Sequence, residues 1–263
     1  MKRRVLHLIP SFNQGGSERQ ALQLVRLLVG EGSYEVQLAC LDKTGILFDE
    51  AVGLGFQDPP EFPLTSFYDA NMVIQLRRFV SYLKENRIDI VQTHDFYSNI
   101  FGIFGAAFAG VPFRIAAKRE TGMRSPVQRF TERRAFGRAN TVVANSQKVK
   151  DYLVASGVRE SKVSIIYNGI DHLLYSFDVV DRKAVLRDLG LPEGYRFVTI
   201  VANLRSPVKN HEMFLRAAAT VAAKFPDAAF VLAGEGELLN EYKAIAAMSD
   251  LDGRVHFLGR CSR

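Results

Sequence analysis

The chain has 263 residues, 48% of them hydrophobic and 24% charged, with a formal net charge of +6; this is the make-up of a soluble globular enzyme of one large or two modest domains. Two cysteines, Cys40 and Cys261, exclude a disulfide framework. Without a Cys or His neighbour at zinc spacing they argue against a structural metal and fit a reducing cytoplasm. The basic start is followed by Val5–Pro10, too short and too interrupted by His7 for a signal peptide. The longest apolar run, 100–109, is about half of a membrane span and reads as a buried helix.

In chain order, Val5–Ile9 reads as a strand and Ser17 to about Val29 as a helix, its start set by the capping-box pattern Ser17-Glu-Arg-Gln20. Val36–Leu41 is a second strand. Pro59-Pro60 and Pro63 mark 42–70 as irregular backbone. A helix from Asn71 to Asn86 carries Val73, Leu76, Val80 and Leu83 at helical spacing. The strand at Ile88–Thr93 precedes a helix over Tyr97–Ala109. Phe113–Ala117 is a strand, and Ser125-Pro126 opens a basic helix. The strand Thr141–Asn145, a helix from Ser146 to Ser156 and the strand Val163–Tyr167 complete this run. The alternation predicts a parallel sheet covered on both faces.

The rhythm breaks after Ile170. A short charged helix pattern and Gly190-Leu-Pro-Glu-Gly194 precede a new cycle: strand Phe197–Val201, helix Glu212–Lys224, strand Ala229–Leu232, helix Leu238–Met248 and strand Val255–Leu258. The expected organisation is a first domain over 1–170, a linker over 171–195 and a second, unfinished domain over 196–263.

Several motifs sit where strands hand over to helices, which in open α/β sheets is the ligand-binding edge. Arg205 and Lys209 lie in the turn between a strand and a helix start. The fork of arginine, the point charge of lysine and the free N–H groups there suit a phosphate or diphosphate; the alternative is two solvated cations. Gly15-Gly16 follows the first strand and lets backbone approach a ligand, or is a plain turn. It is neither the dinucleotide fingerprint nor a P-loop. His94 closes its strand and could orient a hydroxyl, carry a proton or be structural. Asn168-Gly169 is a strong turn signal at the end of the first domain. Gly234-Glu235-Gly236 could bring backbone near a nucleotide. The excess of cations between Arg114 and Arg138 could face an anionic membrane, a phosphate-bearing acceptor or solvent. Nucleic acid is disfavoured, because no aromatic interleaving or recognition motif accompanies it.

Taken in order, Gly15-Gly16-Ser-Glu18, Ala144-Asn-Ser146, Asn168-Gly-Ile-Asp171, Arg205-x-x-x-Lys209-Asn-His, Leu232-Ala-Gly-Glu-Gly236 and Val255-x-Phe-Leu-Gly259 resemble the retaining, nucleotide-sugar-dependent glycosyltransferases of family 4. The resemblance runs over the whole chain. It implies the GT-B fold, two Rossmann-like domains closing over a cleft, with a nucleotide-diphosphate sugar as donor and no metal. By that resemblance Gly16 lies against the donor diphosphate, Arg205 and Lys209 neutralise the leaving nucleoside diphosphate, and Gly15, Asn168, Gly234, Glu235, Gly236 and the backbone after Phe257 line the nucleotide.

Two departures stand out. Relatives carry a histidine near the transferred sugar after the fourth strand; here the segment reads Ala117-Lys-Arg119-Glu-Thr121, so Arg119 stands in its place. Relatives also carry a Glu-x7-Glu motif beyond the Phe-Leu-Gly strand, and its absence implies a truncated, inactive fragment. The resulting expectation is transfer of a sugar to a lipid-linked or saccharide acceptor in cell-surface polysaccharide synthesis. The enzyme would be cytoplasmic, with 114–138 and its Val127, Phe130 and Phe136 against the inner membrane face. A GT-B sugar-nucleotide epimerase and a non-catalytic nucleotide-binding module are the alternatives.

Overall fold

In the computed structural model, residues 2–67, 69–122, 124–170, 181–249, 251 and 253–261 are described. Two compact units follow one another, Met1–Ile170 and Asp171–Arg263. Of the expected linker, 171–180 lies outside the described residues.

The first unit holds six parallel strands: β1 (Arg3–Ile9), β2 (Tyr34–Cys40), β3 (Ile90–Thr93), β4 (Phe113–Lys118), β5 (Thr141–Ala144) and β6 (Val163–Ile165). Their spatial order is β2-β1-β3-β4-β5-β6. Because β1 lies inside the sheet, the order reverses beside it, and the crevice at such a switch point is where ligands enter. The strands are joined by α1 (Gly16–Glu31), α2 (Phe48–Gly53), α3 (Ala70–Glu85), α4 (Phe96–Ala109), α5 (Pro126–Arg138) and α6 (Gln147–Ala155). Apolar clusters fill both faces: Leu6, Phe79 and Phe101 in one, Ile9, Phe12 and Leu22 in another, Ala116, Phe136 and Val142 in a third.

The second unit begins with α7 (Arg182–Asp188). It has three parallel strands, β7 (Arg196–Val201), β8 (Ala228–Ala233) and β9 (Val255–Gly259), in the order β7-β8-β9. Helices α8 (His211–Lys224) and α9 (Leu239–Ala247) pack on them through Leu215, Phe230, Leu232 and Tyr242.

Three expectations are corrected. Helix α1 starts one residue early, at Gly16, with Gly15 as an extended N-cap and no side-chain cap bond. The Ser17 capping box does not form; the Glu18 carboxylate instead turns back over Gly15. Segment 42–70 is not wholly irregular. It contains α2, whose buried Ala51 joins Phe12 and Leu47 in a core cluster, and it is tied to β2 by a bridge between Cys40 and Glu61. Phe136 is no membrane-facing side chain. It is 1% exposed in the core, while Val127 and Phe130 are 55% and 50% exposed.

Candidate active site

At the C-terminal edge of the first sheet, β1, β3 and β4 bring three basic side chains together. Parallel pairing sets His7 opposite Gln92 and Leu8 opposite Thr93, so His94 leaves β3 beside the end of β1. The two imidazoles stack with centroids 5.3 Å apart, and His7 Nδ1 lies 3.0 Å from His94 Nε2. Arg119, the residue after β4, donates from Nη1 to the His94 carbonyl at 3.0 Å and lies 3.4 Å from His94 Nδ1 through Nη2. Guanidinium has only donors. His94 Nδ1 therefore accepts, His94 Nε2–H donates to His7 Nδ1, and the His7 proton rests on Nε2, which has no partner among the described residues. Both rings are fully buried. Burial, and then the charge of Arg119, lower His7 to about 4. Burial, His7 and Arg119 hold His94 well below its ordinary value. The pair is neutral at physiological pH.

Acidic groups complete this edge. Asp95 caps α4 by accepting from the Ser98 N–H, and the Ser98 hydroxyl accepts from the Asp95 N–H in return. Burial raises the Asp95 carboxyl against these bonds. Glu18 is raised, mainly by burial; the charge of Asp95 adds to this, while its own backbone bond and Arg119 oppose it. Arg119 is lowered by burial, opposed by Glu18 and then Asp95. Asn145 Nδ2 donates to the Arg119 carbonyl at 3.2 Å, which fixes the backbone from which the guanidinium projects.

Gly15 and Gly16 behave differently. A Cβ at position 15 would lie 2.1 Å from Glu18 Oε2, whereas at 16 it would meet nothing within 4 Å. The protein's own atoms therefore require no glycine at 16, while the Glu18 carboxylate, bonded to its own backbone, lies over this first turn of α1. Asn168 is exposed at the end of this unit. Its neighbour Gly169 is clamped from both sides by one amide: Gln20 Nε2 donates to the Gly169 carbonyl at 2.8 Å, and the Gly169 N–H donates to Gln20 Oε1 at 3.1 Å.

In the second unit, Arg205 follows β7, and a 3-10 turn over Pro207–Lys209 leads to Asn210. Asn210 is left-handed at φ 54° and caps α8 by accepting from the Met213 N–H. Arg205 and Lys209 are exposed, and no ion pair or side-chain hydrogen bond engages either among the described residues. Two uncompensated cations thus flank a helix N-terminus. His211 beside them is fully buried, against Tyr242 at 5.0 Å, and neither ring nitrogen has a partner among the described residues.

The two glycines of Gly234-Glu235-Gly236 serve this turn. A Cβ at 234 would sit 1.9 Å from the Ala202 carbonyl oxygen, and one at 236 would sit 2.3 Å from the Leu204 carbonyl carbon. Leu204 N–H donates to the Glu235 carbonyl at 2.9 Å, and Leu238 N–H to the Leu204 carbonyl at 2.9 Å. The glycines let one turn lie against the other and so hold Arg205 in place. Gly234 N–H also donates to the Gly259 carbonyl at 2.7 Å. Phe257 packs against the core of this unit, and Glu235 pairs with Arg260 at 3.7 Å.

The cation-rich stretch 114–138 is partly internal. Lys118 is 3% exposed and pairs with Glu132, 5% exposed, at 2.7 Å. Arg114 donates to the carbonyls of Arg138 and Val111. Arg134 and Arg138 lie over Phe130 and Phe104. Among the described residues no group of His, Cys, Asp or Glu side chains is placed to hold a metal ion, and no helix is long and apolar enough to cross a membrane.

A basic turn at a helix start behind β7 and a buried polar cluster at the edge of a six-stranded parallel sheet are both consistent with a sugar-transfer enzyme, and comparison decides the family. The model of Glycosyltransferase Family 4 matches residues 14–172, more than half of the chain. The chain belongs to glycosyltransferase family 4. The model of glycosyl transferases group 1 matches residues 181–263. EpsF of Bacillus subtilis (strain 168) is 26% identical over 98% of this chain and 68% of its own length. The Escherichia coli UDP-Gal:alpha-D-GlcNAc-diphosphoundecaprenol alpha-1,3-galactosyltransferase is 28% identical over 87% of this chain. The chain spans 61% of that enzyme. Anabaena HepE, solved in complex with UDP and glucose, superposes with a TM-score of 0.83 at 19% identity, covering 99% of this chain and 70% of HepE. The likeness shows the GT-B fold.

Proposed function

We propose that this family 4 glycosyltransferase chain serves the transfer of a sugar from a nucleotide-diphosphate donor to a lipid-linked acceptor in polysaccharide synthesis. The observation that carries the reading is the pair Arg205 and Lys209, exposed and uncompensated beside the N-terminus of α8. A leaving nucleoside diphosphate gains negative charge as its bond to the sugar breaks, and fixed cations plus open N–H groups stabilise it without a metal. Arg205 and Lys209 act on that charge. Gly234 and Gly236 position Arg205 by letting the two turns meet. In the first unit Gly16 leaves room for a close approach to α1, and the guanidinium of Arg119 supplies donors for anionic or hydroxyl groups of donor or acceptor. The neutral His7–His94 pair positions Arg119. In the second unit Glu235 and the backbone after Phe257 line the nucleotide.

The E. coli relative uses UDP-Gal and a diphosphoundecaprenol acceptor by its name, and HepE holds UDP; both support this donor and acceptor chemistry. Disrupting the gene in its host and analysing lipid-linked glycans by mass spectrometry tests the reading. A lipid-linked intermediate one sugar short should accumulate. An unchanged glycan pool with an altered ratio of epimeric nucleotide sugars would support the epimerase alternative instead.

A further inference from the structure

Beside the polar cluster, the first unit contains a cavity of about 600 Å³ whose wall includes Leu64, Phe67, Met72, Phe96, Ile100 and Phe104. Pro10 and Phe96 also belong to it. These residues directly follow β1 and precede the body of α4, so the cavity opens at the same sheet edge as His94 and Arg119.

Besides Ser66 and Tyr97, four polar side chains line it, and each is engaged by its own chain. Asp42 accepts from the Thr44 N–H and hydroxyl at 2.8 and 2.9 Å. The Thr65 hydroxyl donates to Asp69. Gln128 Oε1 accepts from the Ser125 N–H at 2.9 Å, and the Thr131 hydroxyl donates to the Val127 carbonyl at 2.9 Å. What these groups present to the cavity is mostly methyl, methylene and ring surface. A saccharide needs converging donors and acceptors, whereas a hydrocarbon chain needs this kind of lining. The aromatic side chains are braced against one another: Phe67 stacks on Tyr97 at 5.5 Å, and Phe96 meets Tyr97 edge-on at 5.2 Å.

Two arginines stack on rings of this wall from outside the lining: Arg138 lies 4.9 Å from the centre of the Phe104 ring and donates to the Arg134 carbonyl, and Arg124 stacks on Phe96. The Arg124 guanidinium lies 4.4 Å from the centre of the Phe96 ring, is paired with Glu120, and keeps a buried Nε without a hydrogen-bond partner among the described residues. An apolar cavity with stacked arginines behind its wall rings, of which Arg124 keeps an unpartnered Nε among the described residues, next to a site for sugar chemistry, complements an amphiphile whose anionic group joins a sugar to a hydrocarbon.

We propose that this cavity holds the first part of the hydrocarbon chain of a lipid-diphosphate acceptor, with Arg124 taking the phosphate. The proposal rests on the glycosyltransferase reading and names where its acceptor's lipid lies.

The chain has no tryptophan, so Phe67→Trp places a single tryptophan, excited selectively over the tyrosines, in the wall. The probes are farnesyl diphosphate, farnesol, inorganic diphosphate and dodecyl maltoside, each below its micelle concentration, with calorimetry on the unaltered protein in parallel. Farnesyl diphosphate should bind saturably and shift the emission to the blue. Farnesol and inorganic diphosphate should each bind at least tenfold more weakly. Arg124→Gln should raise the Kd for farnesyl diphosphate about tenfold. Thr131→Phe, which fills the cavity from the surface of α5, should raise it further with the melting temperature unchanged. Equal binding of farnesol or dodecyl maltoside would overturn the proposal, as would a concentration-dependent dimer, detected by sedimentation, that farnesyl diphosphate does not dissociate. UDP binding is measured on the same samples. UDP binding without farnesyl diphosphate binding sinks the acceptor cavity and leaves the donor reading standing; the reverse result sinks the donor reading and supports the cavity.

Discussion

Replacing His7 with glutamine tests the buried imidazole pair through its pH dependence. Glutamine keeps an acceptor for His94 Nε2–H but cannot take a proton. Unfolded, His7 protonates below its ordinary value of 6.5; folded, it resists until about 4. The unfolded chain therefore binds the extra proton throughout that window. The contribution of His7 is complete above pH 6.5 and is lost as pH falls toward 4. Between pH 7 and pH 5 this shift removes about 2 kcal/mol from the stability of the first unit. Glu18 and Asp95 are raised by burial and act in the opposite sense. They are present in both proteins and cancel in the difference, as does the lowering of His94 that burial, its largest cause, produces. The assay is urea-dependent hydrogen exchange of peptides covering β1 and β3, which reports this unit separately from the other. The wild type should lose about 2 kcal/mol more than His7→Gln between pH 7 and pH 5. An equal loss in both proteins would refute the neutral, buried assignment.

Three further substitutions separate packing from ligand roles. Glu132→Ala removes the close, buried partner of the Lys118 ammonium and leaves it only the half-exposed Glu120 carboxylate at 3.7 Å, so it should cost up to about 3–5 kcal/mol in urea unfolding. The double change Lys118→Met with Glu132→Leu should recover most of that loss, and no recovery would contradict an electrostatic cause. Gly234→Ala drives a Cβ into the Ala202 carbonyl, so the second unit should lose protection from exchange across β7 and β8 while the first is unaffected; retained protection would contradict the steric account. Gly16→Ala meets open space and should leave thermal stability unchanged or raised by up to about 1 kcal/mol. Donor binding in the same variant should fall at least tenfold, and unimpaired binding would remove Gly16 from the diphosphate site.

Strand order of chemistry was legible because strand ends are legible. His94 and Arg119 each directly follow an apolar strand, and parallel pairing carries both to one edge. His7 was not, because a lone histidine within Val5–Ile9 has no spacing signal; only the register of β1 against β3 shows it beneath His94. The Gly234-Glu-Gly236 turn was read as backbone brought near a nucleotide; in the structure its two glycines meet the protein's own turn at 202–205. Phe136 was misassigned because composition was weighed instead of phase. It lies four residues after Glu132, so the two share the inner face of α5, where Lys118 neutralises the carboxylate. The α2 helix escaped notice because its six residues show too little periodicity to register.

The central claim is that the turn behind β7 holds a nucleoside diphosphate through Arg205 and Lys209. UDP titration by calorimetry, comparing the unaltered protein with Arg205→Ala, Lys209→Ala and the double variant, measures it directly. Each lost charge-assisted contact is worth about 1.5–3 kcal/mol, so each single variant should bind at least about tenfold more weakly. Affinity should fall with added salt, and the melting temperature should hold, since both side chains are exposed and without partners among the described residues. UDP binding of equal strength in the unaltered and double-variant proteins would contradict the account.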